Sequence, residues 1–303
     1  MSRATLRRLV LAATVLVTSV PVGALAQSAG PTLTLDRGTA ELRIALADRK
    51  RLLAERIGKA LCFTAIPAKA ADAQTQFQDA VRAYAVLHDN LNPQNLNGLT
   101  DDEFGRVAAA WGAEDAAWVA LVAPLMNGSA AFAGADGWKP MLAKAEDLGT
   151  QTAAVYGLMR IGYGPTAGFA DVQSQILLDV YGRQRVLADR LAKNACQVAM
   201  DPGSRVAAES LQVSIAQFDL ILRAMQTGAR ELGVSPPPSA RLSALAGSLA
   251  TEWNALRPAL SQMAESASAD PAAVGDMHDA LFSLTLLLEA ATAMLSEDLR
   301  VAG

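Results

Sequence analysis

The chain has 303 residues, with 26 Lys and Arg against 30 Asp and Glu for a net charge of −4, and a pI near 5.3. Hydrophobic residues make up 51% but aromatics only 5%, so Ala and Leu carry the apolar content, a mixture that favours helices over strands. The acidic balance argues against nucleic-acid binding, which needs a basic face, and the length suffices for one large or two modest domains.

Arg3, Arg7 and Arg8 precede an apolar run from Leu9 to Val22, and Ala24-Leu25-Ala26 supplies a small-x-small cleavage site. Residues 1–26 are therefore expected to be a signal peptide, the apolar run being short of the ~20 residues a span needs. An uncleaved membrane anchor is the alternative. Cleavage would take the net charge from −4 to −7 and predicts an exported, periplasmic, soluble protein. No other stretch reads as a span: Leu281 to Leu288 is short, and Glu289 follows it.

Residues 27–38 read as an extended lead-in. A helix is predicted over about 39–65, with Leu42, Leu46, Leu53, Ile57 and Ala60 on one stripe and Pro67 as its stop. Further helices are predicted over 71–87, 101–126, 141–159, 170–200, 204–232, 240–268 and 270–299. Thr100 and Glu103 form a capping-box pattern ahead of the third. Asn127-Gly128 and the stretch from Gly134 to Pro140 break the chain, and Pro258 is a candidate kink. Gly157, Gly162, Gly164 and Gly168 with Pro165 mark a linker between two halves. Nothing in the pattern calls for a sheet.

A basic stretch occurs twice. Arg49 to Cys62 reads RKRLLAERIGKALC and Arg183 to Cys196 reads RQRVLADRLAKNAC, identical at seven of fourteen positions without a gap. Trp118 and Trp253 follow the two copies at nearly equal distances, and Gln76-Phe77 and Gln217-Phe218 are each followed by Arg-Ala at the same distance. A long internal repeat fixes architecture. The expected fold is all-α: two tandem up-down four-helix units, 27–160 and 161–303, related by an internal pseudo-twofold.

On a helix Arg51, Glu55, Lys59 and Cys62 share one face, while Arg49 and Arg56 border the apolar stripe. Arg185, Asp189, Lys193 and Cys196, with Arg183 and Arg190, repeat the arrangement. For one copy alone, the simpler reading is a solvated ladder of i,i+4 ion pairs worth a few tenths of a kcal/mol each. Against it, a guanidinium beside an apolar stripe is costly unless it is paired or holds a ligand, and the whole set recurs in register.

The run Gly182-Arg183-Gln184-Arg185-Val186-Leu187-Ala188-Asp189-Arg190-Leu191-Ala192-Lys193 resembles the basic box of the periplasmic N-terminal sensor domain of type IV pilus chemotaxis transducers and nitrate/nitrite sensor kinases. The first copy is similar, with Asp48 where the glycine usually sits. The resemblance implies a four-helix bundle with the box on its first helix, and two such helices holding one small anion between their arginines. It places the anion-binding arginines at Arg51 and Arg185 and the second box arginines at Arg56 and Arg190, supported by Arg49, Arg183, Lys59 and Lys193. Planar guanidinium forks suit nitrate or nitrite. The family's polar pair after the first arginine is Ala54-Glu55 and Ala188-Asp189 here, carboxylates that neutralise the arginines or select a cationic or mixed ligand.

Cys62 lies about 16 Å beyond Arg51 along the same face. If the two basic helices run parallel about the pseudo-twofold, Cys62 and Cys196 meet at one height. An exported compartment permits a disulfide there; two buried thiols are the equal alternative. His88 and His278 are the only histidines, and neither has a second ligand at metal spacing, so no metal or cofactor is expected. No nucleophile elbow, Ser-x-x-Lys or phosphate loop is present. Trp118 and Trp253 read as core anchors. The expected function is a non-enzymatic sensor that binds a small oxyanion and signals through a separate membrane sensor kinase, chemoreceptor or pilus component. The alternative is a structural interaction protein of the envelope or pilus system without a small ligand.

Overall fold

The computed structural model describes residues 35–126, 137–167 and 172–302. The expected signal peptide, most of the lead-in, the Asn127-Gly128 break and Gly168 lie outside them. Among the described residues there are eight α-helices and no strand: α1 (Arg37–Phe63), α2 (Ala70–Asn90), α3 (Asp101–Met126), α4 (Trp138–Tyr163), α5 (Val172–Met200), α6 (Arg205–Thr227), α7 (Ala240–Ser266) and α8 (Pro271–Ala302). All eight predicted helices are present, and the all-α reading holds.

Local chemistry sets their ends. Asp36 caps α1 by accepting from the Thr39 N–H at 2.9 Å, leaving fewer orphan donors in the first turn. The capping box before α3 forms as expected: Thr100 N–H donates to Glu103 Oε2 at 2.9 Å and Glu103 N–H donates to Thr100 Oγ1 at 3.3 Å. Ser204 and Ser239 cap α6 and α7. Pro271 opens α8 at a position that needs no N–H. Pro258 sits inside α7. The glycine-rich stretch read as a linker is helical for longer than expected: α4 runs through Gly157 and Gly162 to Tyr163. A helix packed on a neighbour tolerates glycines that cost about 1 kcal/mol each in isolation. In the other direction, α6 stops at Thr227, and Arg230–Leu232 forms a separate 3₁₀ turn.

The helices are organised around α1 and α5. α1 packs on α2, α4 and α5, and α5 packs on α1, α6 and α8; α3 covers α4, and α7 bridges α6 and α8. From Lys50 to Phe63 only Arg56 of α1 is not buried. A helix covered on all sides is normally apolar all round, yet Lys50, Arg51, Glu55 and Lys59 lie in this buried segment.

One buried polar layer was not legible in the sequence. Lys50 Nζ donates to Glu114 Oε2 at 2.8 Å, Tyr84 Oη donates to the other oxygen of Glu114, and Thr152 Oγ1 lies 2.9 Å from Tyr84 Oη. All four side chains are fully buried. Along α1 and α4 this layer separates an apolar cluster around Leu53, Ile57 and Leu148 from another around Ile44, Val155 and Met159. Burial pulls the Lys50 ammonium below its ordinary value, and Glu114 counters it. His88 stacks on Trp111 at 4.6 Å and reaches Asp115 at 3.2 Å beside this layer. Trp253 is the core anchor expected, its Nε1–H donating to Asp219 at 2.6 Å. Trp118 is only half-buried and tilts against Tyr84.

The expectation that no second stretch is long and apolar enough to span needs correction. Within α8, Pro271–Leu299 reaches that threshold by length and composition. Its apolar content extends well beyond Leu281 to Leu288, and an 18-residue window within it carries no more than two charged residues. In the bundle its Val274, Leu281, Leu284, Leu288, Ala291 and Leu295 are buried, on the helix that packs against α5 and α7.

Glu114→Leu should destabilise the chain by about 3–5 kcal/mol, because it strands a buried ammonium. The pair Lys50→Met/Glu114→Leu should recover most of that loss. Urea unfolding of the two variants checks both.

Candidate functional site

The two basic stretches face each other. α1 and α5 pack along the face that carries Arg51, Glu55, Lys59 and Cys62 on one helix and Arg185, Asp189, Lys193 and Cys196 on the other. The solvated-ladder reading fails here: Glu55 and Asp189 are buried and bond across the interface. Glu55 accepts from Arg190 Nη2 at 2.5 Å and Lys193 Nζ at 3.2 Å. Asp189 accepts from Arg56 Nε at 2.9 Å and Lys59 Nζ at 2.6 Å. Each carboxylate therefore holds the arginine and the lysine of the opposite stretch. The two carboxylates and the two lysines are buried, so these bonds act at lower dielectric than fully exposed pairs, although Arg190 and Arg56 keep contact with solvent.

Farther along, Cys62 and Cys196 are joined by a disulfide with their Cα atoms 6.1 Å apart. Of the two alternatives left open by the sequence, the bonded one is present. Phe63 and the disulfide lie in the large apolar cluster built mainly by α5 to α8.

At the other end of the interface Arg51 and Arg185 come together on a carboxylate of the chain itself. Asp48 Oδ1 accepts from Arg51 Nη2 at 2.6 Å, and Asp48 Oδ2 accepts from Arg185 Nη2. Arg51 also lies over the Tyr156 ring, its Cζ 4.1 Å from the centroid, a further counterweight for its charge. Tyr156 Oη donates to Asp179 at 3.1 Å. The Nε atoms of Arg51 and Arg185 are buried and without hydrogen-bond partners.

The remaining candidates are distributed around this line. Arg56 and Arg190 do not join Arg51 and Arg185: Arg56 bonds Asp189 and Glu289 of α8, and Arg190 bonds Glu55. Ion pairs across the interface, one turn away, hold them there. Arg49 reaches Glu289 at 3.4 Å and is half-exposed. Arg183 pairs with Asp179 at 2.7 Å, one turn back on its own helix. Lys59 and Lys193 are buried within the interface.

A cavity of about 590 Å³ opens beside the Asp48 cluster between α1, α4, α5 and α8. Arg49, Arg160 and Arg185 line it together with Glu41, Asp48 and Asp179, so its wall is mixed in charge. Its size falls in the range of small-molecule sites. The sequence offered Asp48 only as a departure from the box, and it offered no sign of Tyr156, Glu289 or Arg160. Asp48 and Gly182 occupy the same place in the two stretches, and that asymmetry was the one signal available.

Burial would push the Glu55 carboxyl up, but Lys193 and Arg190 outweigh it and hold it below its ordinary 4.5. A lowered carboxyl stabilises the fold above its unfolded value and loses that contribution as pH falls through the window below 4.5. Acidification below 4.5 should therefore loosen the α1–α5 interface, and Glu55→Gln should flatten that part of a stability–pH profile measured by urea unfolding. The disulfide closes a separation of 134 residues, worth about 5 kcal/mol in the chain-entropy treatment. Cys62→Ser/Cys196→Ser should lower the unfolding free energy from urea titration by most of that amount without adding free thiols.

Residues 177–278 match the family model described as PilJ, type IV pili methyl-accepting chemotaxis transducer N-term. The match covers about a third of the chain, from within α5 into α8, and includes the second basic stretch. No curated protein and no solved structure matches the chain. The match points to a sensory or signalling role in a chemotaxis-transducer or pilus setting.

Proposed function

We propose that this chain is an exported, non-catalytic sensory domain that takes an oxyanion-bearing small molecule at the Arg51–Asp48–Arg185 cluster and passes the signal to a separate membrane or pilus partner. The observation that carries the reading is convergence. Two arginines from stretches 134 residues apart, 51 and 185, meet on one oxyanion, the Asp48 carboxylate, at the edge of a 590 Å³ cavity. Planar guanidinium edges select planar oxyanions, so nitrate and nitrite belong to the class. A carboxylate-bearing solute fits the larger cavity better, with Arg49 and Arg160 to hold its acidic group and Glu41 or Asp179 for any cationic one.

The reading also treats the chain as two copies of one four-helix unit, 27–160 and 161–303, about an internal pseudo-twofold. In support, α1 neighbours α2 and α4 as α5 neighbours α6 and α8. The crossed pairs Glu55–Arg190/Lys193 and Asp189–Arg56/Lys59 exchange equivalent residues of the two stretches. A duplicated domain would thereby build within one chain an interface that separate chains would otherwise have to form.

One observation favours the second reading, a structural interaction module without a ligand. The charges of both basic stretches are already met by carboxylates of the chain, Arg51 and Arg185 by Asp48 and the others by Glu55, Glu114, Asp189, Asp179 and Glu289.

A thermal-melt screen against nitrate, nitrite, small carboxylic acids and amino acids separates the two. A binder gains RT ln(1 + [L]/Kd), about 2.7 kcal/mol at a hundredfold excess over Kd, so a true ligand should raise Tm by several degrees. The shift should vanish in Arg185→Ala. Flat melts across the whole panel would leave the structural module as the reading.

A further inference from the structure

The cluster at the head of the α1–α5 interface is imperfectly filled. The Nε and Nη2 of a guanidinium form one edge, and a free planar oxyanion takes both donors of that edge at once. On Arg51 and on Arg185 only Nη2 is used, by one oxygen each of Asp48, while both Nε atoms are buried and unbonded. A buried donor left unpaired costs free energy. The carboxylate cannot reach all four donors because it is tied to α1 through its own Cβ, three residues before Arg51 on the same helix.

The opposite side of the cluster has room for no second side chain. Gly182 stands where Asp48 stands in the first stretch, and a Cβ on it would lie 3.0 Å from Asp48 Oδ1 and 3.1 Å from Arg51 Nη2. The cluster thus holds two guanidinium edges, one carboxylate, and a glycine that yields the space. Two cations and a single anion in a mostly buried setting are matched to one oxyanion with more than two acceptor positions.

We propose that Asp48 is a tethered anion occupying an oxyanion site between Arg51 and Arg185, and that the same site takes a free planar oxyanion once that carboxylate is removed. The inference deepens the proposed function by naming what a ligand must displace, and rests on it only for the site's role in sensing. Asp48 sets the threshold: as encoded, the site is occupied without solute, and an external anion competes with a partner already held at high effective concentration. A solute reaching the centre from the cavity needs contacts there to win that competition.

The test is chemical rescue in the full chain. Tm is measured for the unmodified protein, Asp48→Ala, Asp48→Gly and Asp48→Ala/Arg185→Ala, in chloride and in formate or nitrate at equal ionic strength. Asp48→Ala should lose on the order of 5–10 °C in chloride, since two mostly buried guanidinium groups lose their counter-charge. Formate or nitrate should restore at least half of that loss saturably, with little effect on the unmodified protein and none on the double variant. If Asp48→Ala fails to fold in chloride, its refolding in formate is the same readout. An Asp48→Ala protein as stable as the original, or one that neither formate, nitrate nor nitrite rescues, overturns the proposal. Rescue without any ligand shift in the unmodified protein upholds this inference and counts against the sensing role. A ligand shift in the unmodified protein without rescue does the reverse.

Discussion

The structure depends on a layer of charge buried between two helices. Six cations of α1 and α5, Arg51, Arg56, Lys59, Arg185, Arg190 and Lys193, meet Asp48, Glu55 and Asp189 in the interface. Taking such groups out of water costs several kcal/mol each, recovered only when every charge is bonded. A slip of α1 against α5 by one turn would leave carboxylates facing apolar side chains, so the charge layer fixes register more than it adds stability. The Cys62–Cys196 bond locks the same register covalently. Everything else, α2 to α4 on one side and α6 to α8 on the other, is arranged around a pair of helices that can sit in one way only.

Within that frame the two stretches are alike in pairing and unlike in their surroundings. Lys50 of the first is matched by Gln184 of the second. Lys50 requires Glu114 for its charge, whereas Gln184 carries no charge: its Nε2 donates to the Phe218 carbonyl at 3.1 Å and its Oε1 is buried without a hydrogen-bond partner. Asp48 is matched by Gly182, and the difference places one carboxylate where two would repel. Each departure from equivalence is resolved by a neighbour that makes it affordable. An additional charge in the first half is compensated within a polar layer, and an additional side chain at the cluster is compensated by a glycine.

The placement of the cluster gives a signalling role a physical basis. The Arg51–Asp48–Arg185 contact joins α1 to α5 at the end away from the disulfide, while α8 is tied to α1 through Glu289, with Arg49 and Arg56 as donors. Under the proposed function, a ligand competing for Arg185 would change the balance of bonds between these helices at the end away from the disulfide.

The sequence by itself determined the eight helices, because Ala and Leu dominate the composition and helical periodicity, caps and Pro/Gly breaks are local signals. It also determined that two basic stretches correspond, and that Arg51 and Arg185, and Cys62 and Cys196, belong to matching positions. Pairing was another matter. Glu55 reads equally well as the partner of Arg51 and Lys59 on its own helix, and only the packing of α5 against α1 makes Arg190 and Lys193 its partners. Glu114 lies on the apolar stripe of α3 between Val107 and Leu121, yet nothing in the sequence names Lys50 as the reason. Asp48 looked like a lapse from a glycine, and became the centre of the site only when Arg185 arrived from 137 residues away. Helices are chosen by neighbours along the chain, whereas a buried charge is tolerated or expelled according to what the fold places within about 3 Å of it, and that the tertiary structure alone decides.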